Sequence, residues 1–257
     1  MNCWKLFESS LPSACNSFCA MLSEKPWNRE VFLLLLAGLL ICWSSGMLLG
    51  ILLEQFLPLD AVAQKTFYHF VIGTLSFHVA AILLVHQFLK KSGTNWREFL
   101  GLTGSHLTRA MLLAFLVGIL VLPVVLALND GLTWLMNYLG TQPAPQPAIR
   151  VLESTVGLGQ RICFGIAAIL LAPLAEEALF RGILYPFIKQ LGYPRLAIWG
   201  TSLLFGAIHL SLTAFLPLTF FAVVLVLVYE RTDKLLAPIT IHVLFNVVNF
   251  FGSLFGR

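Results

Sequence analysis

The sequence predicts an all-α protein, a polytopic transmembrane helix bundle. Of its 257 residues, 58% are hydrophobic and only 11% are charged, whereas about a quarter of the residues in an ordinary soluble domain are charged. The hydrophobic residues form runs of roughly 20 residues, the length that a helix needs to cross a bilayer. The net charge of +4 does not indicate nucleic-acid binding, because the basic residues flank these apolar runs.

Seven apolar runs are predicted as membrane spans, at 31–57, 66–89, 109–129, 161–188, 195–212, 213–229 and 235–255. Segment 130–140 is a candidate for an eighth, short or re-entrant helix. Residues 141–148, TQPAPQPA, are predicted as a loop, because proline cannot supply the hydrogen bonds of a continuing helix. Residues 94–102, TNWREFLGL, mix aromatic and charged side chains in too short a stretch to span, which predicts an interfacial helix.

The chain divides into two predicted regions. Residues 1–29 form a polar cytoplasmic segment without the pattern of a cleaved signal peptide. Residues 30–257 form the membrane domain, with a predicted core at about 161–252 that holds its unusual polar residues. The five cysteines show no metal-ligand spacing, which favours reduced thiols. They are Cys3, Cys15, Cys19, Cys42 and Cys163.

Lysine and arginine residues predict the orientation in the membrane. With the N-terminus in the cytoplasm, eleven fall inside and four outside, which is the bias of the positive-inside rule. The inner set is Lys5, Lys25, Arg29, Lys90, Lys91, Arg97, Arg109, Lys189, Arg195, Arg231 and Lys234. The outer set is Lys65, Arg150, Arg161 and Arg257. We therefore predict a cytoplasmic N-terminus, and the plasma membrane if the source is bacterial.

The stretch LAPLAEEALFRG, residues 171–182, places two glutamates and one arginine inside an apolar run. A charge at the centre of a membrane helix costs roughly 2.5–3.5 kcal/mol on insertion scales, so these residues require partners or water. Glu177 and Arg181 stand at i and i+4, the spacing of a helical salt bridge. Glu176 points about 100° away and has no cation at that spacing, which leaves its carboxylate available as a base.

Pro173 lies one turn before Glu176. Because proline has no N–H, we expect the carbonyl of Ile169 to lose its helical partner and the helix to bend there. Irregular backbone beside a glutamate is typical of a polar cavity rather than of lipid contact. The sequence thus predicts that Glu176 faces a cavity.

Two later spans carry polar residues at a depth similar to that of Glu176. His209 lies near the end of one span, and His242 and Asn246 stand at i and i+4 in another, with Asn249 three residues further on. On separate helices of one bundle, these groups can meet Glu176 at a common depth. The remaining histidines are predicted to have ordinary structural or interfacial roles. They are His69, His78, His86 and His106.

These residues predict hydrolysis by an activated water. Glu176 would take the proton of the water and His209 would orient that water, while His242 and Asn246 can donate hydrogen bonds toward an oxyanion. In the alternative, Glu176, His209 and His242 hold Zn²⁺ with a water in its open position. The HExxH zinc motif is absent, and we favour the version without a cofactor.

Three motifs in the second half of the chain resemble those of the CPBP intramembrane proteases. EEALFRG matches EExxxR, FGAIH matches FxxxH and HVLFN matches HxxxN, in this order on successive helices. The resemblance covers roughly 161–250. This family includes type II CAAX prenyl endopeptidases and bacteriocin-immunity relatives. A helix with two glycines four apart is typical of the family, whereas this sequence has Ala222 and Val226, which puts the shape of the substrate groove in doubt.

The resemblance implies roles for six residues. Glu176 becomes the catalytic glutamate, His209 its partner, and His242 and Asn246 the pair on the oxyanion side. Two residues, Glu177 and Arg181, become supporting. The implied function is endopeptidase cleavage of a membrane-associated protein or peptide, of which a prenylated CAAX protein is one form, with the lipid bilayer and this substrate as partners.

Two functions of other classes stay open. In one, the protein is a non-enzymatic membrane protein of the bacteriocin-immunity type, and the polar residues only hold the bundle together. In the other, it is a proton-coupled transporter that uses Glu176, His209 and His242 as titrating groups. The sequence shows no internal repeat, which speaks against the transporter.

Overall fold

The computed structural model describes residues 25–56, 62–103 and 106–255, and every regular element in these ranges is a helix. The predicted all-α class and helix-bundle architecture are therefore confirmed. Most of the predicted polar segment 1–29 lies outside the described residues, together with Cys3, Cys15 and Cys19. The other two cysteines, Cys42 and Cys163, form no disulfide within the described residues.

The described chain contains nine helices, of which α2 and α6 include π-helical turns. The seven others are α1 (Arg29–Phe56), α3 (Trp96–Phe99), α4 (Leu107–Tyr138), α5 (Pro147–Glu153), α7 (Pro194–Ala207), α8 (Leu212–Thr232) and α9 (Leu236–Leu254). Helix α2 runs through Val62–Gly73, the π-helical turn Thr74–Val79 and Ala80–Lys91. Helix α6 runs through Leu158–Ile166, the π-helical turn Ala167–Leu171, Ala172–Glu177, a second π-helical turn Ala178–Leu184 and Tyr185–Gln190.

Six of the helices are long and apolar enough to cross a membrane, namely α1, α2, α4, α6, α8 and α9. The prediction that 195–212 forms a seventh span is wrong, because no helix of sufficient length is found there. The helix in that position, α7, has 14 residues, which extend about 21 Å at ~1.5 Å per residue. This length is short of the ~30 Å hydrocarbon core, and α7 packs instead as a hairpin against α8.

Segment 130–140, which the sequence left as a candidate for a short or re-entrant helix, does not form a helix of its own. Helix α4 continues through this segment as one helix of 32 residues, Leu107–Tyr138. Asn129 and Asp130 break the apolar pattern without breaking the helix, because neither residue removes a backbone N–H. The predicted loop at 141–148 is correct as far as Gln146, and Pro147 opens α5, where a missing N–H is harmless.

Basic residues gather at the end of the bundle where α1, α4 and α9 begin and where α2, α6 and α8 end, which we call the basic end. Lys25 Nζ lies 2.8 Å from Asp233 Oδ1, and Lys189 Nζ lies 2.6 Å from Glu230 Oε1. These contacts join the start of the described chain and α6 to the end of α8. Lys5 lies outside the described residues, and the other residues that the sequence assigns to the cytoplasm share this end of the fold.

The predicted interfacial helix forms at the basic end as α3. The side chain of Asn95 accepts the backbone N–H of Glu98 at 3.0 Å, which caps its first turn. Trp96 Nε1 donates to His86 Nδ1 of α2 at 3.1 Å. Phe99 is buried, so that this short helix is anchored to the bundle.

Candidate active site

A cavity of about 240 Å³ lies inside the bundle, between α2, α6 and α9 and the turn after α7. All four residues predicted to be catalytic line it, namely Glu176, His209, His242 and Asn246. The wall also contains His78 of α2, for which the sequence predicted only an ordinary role. The structure therefore brings the predicted residues together and adds one that the sequence analysis missed.

The backbone of α6 is irregular on the approach to Glu176. In the π-helical turn before Pro173, Ala172 N–H donates to Ala167 O, five residues back. The residue five positions before Pro173 is Ala168, so the missing proline N–H frees the carbonyl of Ala168. The prediction that the carbonyl of Ile169 would be freed is therefore wrong. Asn246 Nδ2 donates to Ala168 O at 2.7 Å and fills this position. The amide thereby ties α9 to the irregular part of α6.

The ion pair predicted from the i, i+4 spacing is present in the bundle interior. Arg181 Nη1 donates to Glu177 Oε1 at 2.8 Å, and both side chains are buried. Arg181 Nη2 donates to the carbonyl of Ala222 in α8 at 3.1 Å. Its guanidinium carbon lies 4.6 Å from the ring centroid of Phe205, a cation–π distance. Arg181 therefore joins α6, α7 and α8 while it neutralises Glu177.

Glu177 also fixes the orientation of His242. The distance from His242 Nδ1 to Glu177 Oε1 is 2.8 Å, and His242 is buried. Because an ionised carboxylate only accepts hydrogen bonds, Nδ1 carries the proton of this contact. The other ring nitrogen, Nε2, faces Glu176 at 3.8 Å from Oε2. Glu177 thus acts as the partner that orients a histidine beside the cavity.

The carboxylate of Glu176 stands between two imidazoles. Its Oε1 lies 3.6 Å from His78 Nε2, and its Oε2 lies 3.8 Å from His242 Nε2. Both separations exceed the usual 2.7–3.2 Å of a hydrogen bond. Oε2 is buried and has no hydrogen-bond partner in the described part of the chain. The site therefore holds an acceptor oxygen that is free to bind a small polar group.

His209 approaches the cavity from the turn that follows α7. Its Nδ1 lies 2.7 Å from the carbonyl oxygen of Phe205, so Nδ1 carries the proton and Nε2 is left for other partners. The ring centroid of Phe205 lies 4.9 Å from that of His209 and 5.7 Å from that of His242. Phe205, the first residue of the FxxxH motif, thus spaces the two histidines.

His78 was assigned an ordinary role because its neighbours in the sequence carry no motif. The signal that could have identified it is its position at the middle of a membrane span. Two other histidines have partners away from the cavity: His69 Nε2 contacts Glu54 at 2.9 Å, and His86 accepts from Trp96.

The cavity extends away from the basic end. Besides the residues around Glu176, its wall includes Gln146 and Ile149 at the start of α5 and Ser253 near the end of α9. These residues lie at the end of the bundle where α4 and α9 end and α6 begins. We call this the α5 end. Access to Glu176 is therefore on the side opposite to the basic end.

The predicted Zn²⁺ alternative would use Glu176, His209 and His242 of this same site. Within the described residues, no group of three or more His, Cys, Asp or Glu side chains is arranged to hold a metal ion. The Zn²⁺ alternative therefore gains no support from this geometry and stays a prediction.

Comparison with known families identifies the segment that contains these residues. Residues 158–248 match the model of the family described as Type II CAAX prenyl endopeptidase Rce1-like. No curated protein and no solved structure matches the chain. The matched segment includes the EExxxR, FxxxH and HxxxN motifs on α6, α7 and α9. The matched segment is therefore similar to the Rce1-like type II CAAX prenyl endopeptidases, which agrees with the predicted resemblance to the CPBP intramembrane proteases.

Proposed function

We propose that the protein is an intramembrane endopeptidase in which Glu176 takes a proton from the attacking water. The observation that carries this proposal is the position of Glu176 Oε2, which is buried at the cavity wall, lacks a hydrogen-bond partner among the described residues and lies 3.8 Å from His242 Nε2. A buried acceptor without a partner is uncommon and calls for a functional reason. The Oε2 atoms of Glu177 and Glu230 also lack one among the described residues, but of these three glutamates only Glu176 lines the cavity. The match of residues 158–248 to a peptidase family supports the same reaction class.

The proposed reaction breaks one peptide bond with one water. Oε2 of Glu176 removes a proton as the water oxygen bonds to the carbonyl carbon, and the carbonyl oxygen becomes an oxyanion. Glu176 then gives this proton to the amide nitrogen as the C–N bond breaks. The new carboxyl and amino ends leave, and the glutamate is a carboxylate again.

Two residues of α9 are proposed to stabilise the oxyanion. Asn246 has two N–H groups on its amide, of which one is held by Ala168 O, and the other is available to the substrate. His242 donates through Nδ1 to Glu177, and in its doubly protonated form it also donates through Nε2. With Arg181, this form balances the charges of the two glutamates.

His209 is proposed to orient the water. Because its Nδ1 is committed to the carbonyl of Phe205, a neutral ring presents the lone pair of Nε2 to the cavity. That lone pair accepts one hydrogen of the water while Glu176 accepts the other. The two acceptors together direct the oxygen of the water toward the substrate.

The proposed substrate is an extended segment of a membrane-associated protein or peptide. The wall combines aromatic rings, such as those of Phe164 and Phe250, with the amides of Gln146 and Asn249. Apolar surface accommodates side chains, and the amides satisfy the backbone N–H and C=O groups that an extended peptide exposes. A prenylated CAAX protein is the substrate that the family name implies.

Cleavage profiling in native membranes tests the proposal. The peptide products of cells with the wild-type protein are compared by mass spectrometry with those of Glu176→Gln, which keeps the size of the side chain and removes the base. We expect a set of cleavages to disappear. The matched control is Glu54→Gln, in the exposed pair with His69, which should retain all of them.

A profile that is the same for Glu176→Gln and the wild type would exclude the peptidase mechanism and favour a non-enzymatic role. A chelator arm addresses the Zn²⁺ alternative. We expect the cleavages to survive a strong chelator. Loss of activity on chelation, with recovery on addition of zinc, would replace the proposed mechanism with a metal-dependent one.

We also propose that the basic end faces the cytoplasm, by the positive-inside rule, so that substrates reach the cavity from the other side. This is tested in a variant without native cysteines. Ala148→Cys at the α5 end should react with a membrane-impermeant maleimide in intact spheroplasts, and the exposed Lys91→Cys only in inside-out vesicles. The reverse pattern would show that the orientation is wrong.

A further inference from the structure

We propose that His78 is a positioning residue for Glu176, and that the membrane domain upstream of the family motifs thereby completes the site. His78 lies in α2, outside the segment 158–248 that matches the family model. This inference rests on the proposed function, since it assigns His78 a role in holding the catalytic carboxylate.

The backbone of α2 is specialised where His78 lies. The segment Thr74–Val79 is a π-helical turn between two α-helical segments. Single π-helical turns are rare inside α-helices and occur frequently at functional sites. This turn packs against the part of α6 that carries Glu176. The irregularities of both helices therefore meet at the cavity.

The side chain of His78 directs one nitrogen at Glu176 and leaves the other without a partner. Nε2 lies 3.6 Å from Glu176 Oε1. Nδ1 is buried and makes no hydrogen bond within the described residues. A carboxylate can only accept, so the nitrogen that faces it carries the proton. In the neutral ring, Nδ1 is then a bare acceptor, and His78 is an N–H donor aimed at Oε1.

This donor distinguishes the two oxygens of Glu176. A hydrogen bond from His78 to Oε1 would hold the plane of the carboxylate and leave Oε2 to face His242 and the substrate water. The separation of 3.6 Å is longer than a hydrogen bond, but catalytic contacts are often long without substrate and shorten when it binds. We infer that His78 closes onto Oε1 in the substrate complex.

Two variants of His78 separate this role from simple packing. Glutamine places its amide nitrogen near the position of Nε2, whereas asparagine places its amide near Nδ1. We expect His78→Gln to retain kcat within about 5-fold and His78→Asn to lower it about 10- to 100-fold, the range that follows from a misplaced catalytic group. KM should change little in either variant, because His78 acts through Glu176.

The assay uses the peptide that the cleavage profiling identifies, with His69→Asn as control. His69 lies in the same helix, but its partner is Glu54 at the exposed surface, and its replacement should leave kcat unchanged. Equal kcat values for His78→Gln and His78→Asn would overturn the inference. So would a loss in both that is accompanied by an equal loss of folded protein.

A measurement that needs no substrate keeps this test separate from the proposed function. In protein with ¹⁵N-labelled histidine in lipid, imidazole NMR should show the Nε2–H form of His78. Its signal should shift in Glu176→Gln and stay in place in Glu54→Gln, which should shift the signal of His69 instead. An Nδ1–H form, or a signal insensitive to Glu176→Gln, refutes the role of His78 even if Glu176 proves catalytic.

Discussion

The first three membrane spans and the last three differ in how much of them the protein buries. In their most apolar stretches, 17%, 11% and 17% of the residues of α1, α2 and α4 are buried, against 39%, 61% and 33% for α6, α8 and α9. The apolar residues of the early spans are thus largely directed at lipid. Those of the late spans are more often covered by neighbouring helices, which include the early span α4 packed against α8 and α9, and they surround the polar site.

This difference shows that apolar spans have two roles in this chain: some mainly face lipid, and others are largely covered by neighbouring helices. Lipid is as apolar as leucine, so an exposed leucine on α4 contributes little to the association of helices. In the late spans, close packing and hydrogen bonds hold the helices together. The buried pair of Glu177 and Arg181, with His242 on the same carboxylate, belongs entirely to these spans. His78 is the point at which an early span reaches the site.

The largest effect on stability is expected at the buried ion pair of Glu177 and Arg181 in the late spans. Arg181→Met keeps the length of the side chain but leaves Glu177 buried without its cation. Loss of one partner of a buried pair costs about 3–5 kcal/mol. We expect a decrease of this order in the free energy of unfolding, measured by denaturant titration in detergent.

The double variant Glu177→Gln/Arg181→Met is the control for that prediction. Glutamine carries no charge that needs a cation and keeps an oxygen that can accept from His242 Nδ1, so the double variant should be more stable than Arg181→Met alone. If the double variant is the less stable of the two, the pair does not act through charge compensation.

The sequence predicted this pair because i, i+4 spacing is local. It could not predict that Glu177 also binds His242, because that contact depends on the register between α6 and α9. The freed carbonyl was assigned to Ile169 instead of Ala168 for a similar reason. A π-helical turn shifts the partner by one residue, and hydropathy does not reveal it.

For the fold as well, the sequence predicted the local character of the helices better than their number of membrane crossings. Composition predicted the all-α membrane class, because any helix in lipid must be apolar. Length alone did not identify α7 as too short to cross, since the apolar run continues through the turn into α8. His78 was missed because the motifs lie on α6, α7 and α9, and nothing in the sequence states which face of α2 meets them.

A smaller effect is expected from the contrast between packed and lipid-facing leucines. Leu225 of α8 is fully buried, whereas Leu116 of α4 is 56% exposed. Leu225→Ala removes packing contacts and leaves a cavity, which costs about 2–4 kcal/mol. Leu116→Ala should change the free energy of unfolding by less than about 0.5 kcal/mol, in line with other exposed positions. Similar losses in the two variants would show that the early spans are packed against protein that lies outside the described residues or in another chain.

The smallest effect on stability is expected at Asn246 of α9, at the point where the late spans line the cavity. Asn246→Leu has a similar volume and leaves the carbonyl of Ala168 without its donor, which costs about 1–2 kcal/mol. Asn249→Leu is the matched control, because Asn249 bonds only within its own helix, to Phe245 O at 2.8 Å, and its loss should cost less.

Activity separates the two roles of Asn246 in that experiment. If the amide only ties α9 to α6, cleavage by Asn246→Leu should follow the fraction of folded protein. If its second N–H stabilises the oxyanion, Asn246→Leu should lower kcat about 100-fold, as for the loss of one oxyanion donor, at a temperature where the protein is fully folded. The side chain would then serve stability through Ala168 and catalysis through the substrate, because an amide nitrogen has two hydrogens and the fold uses one of them.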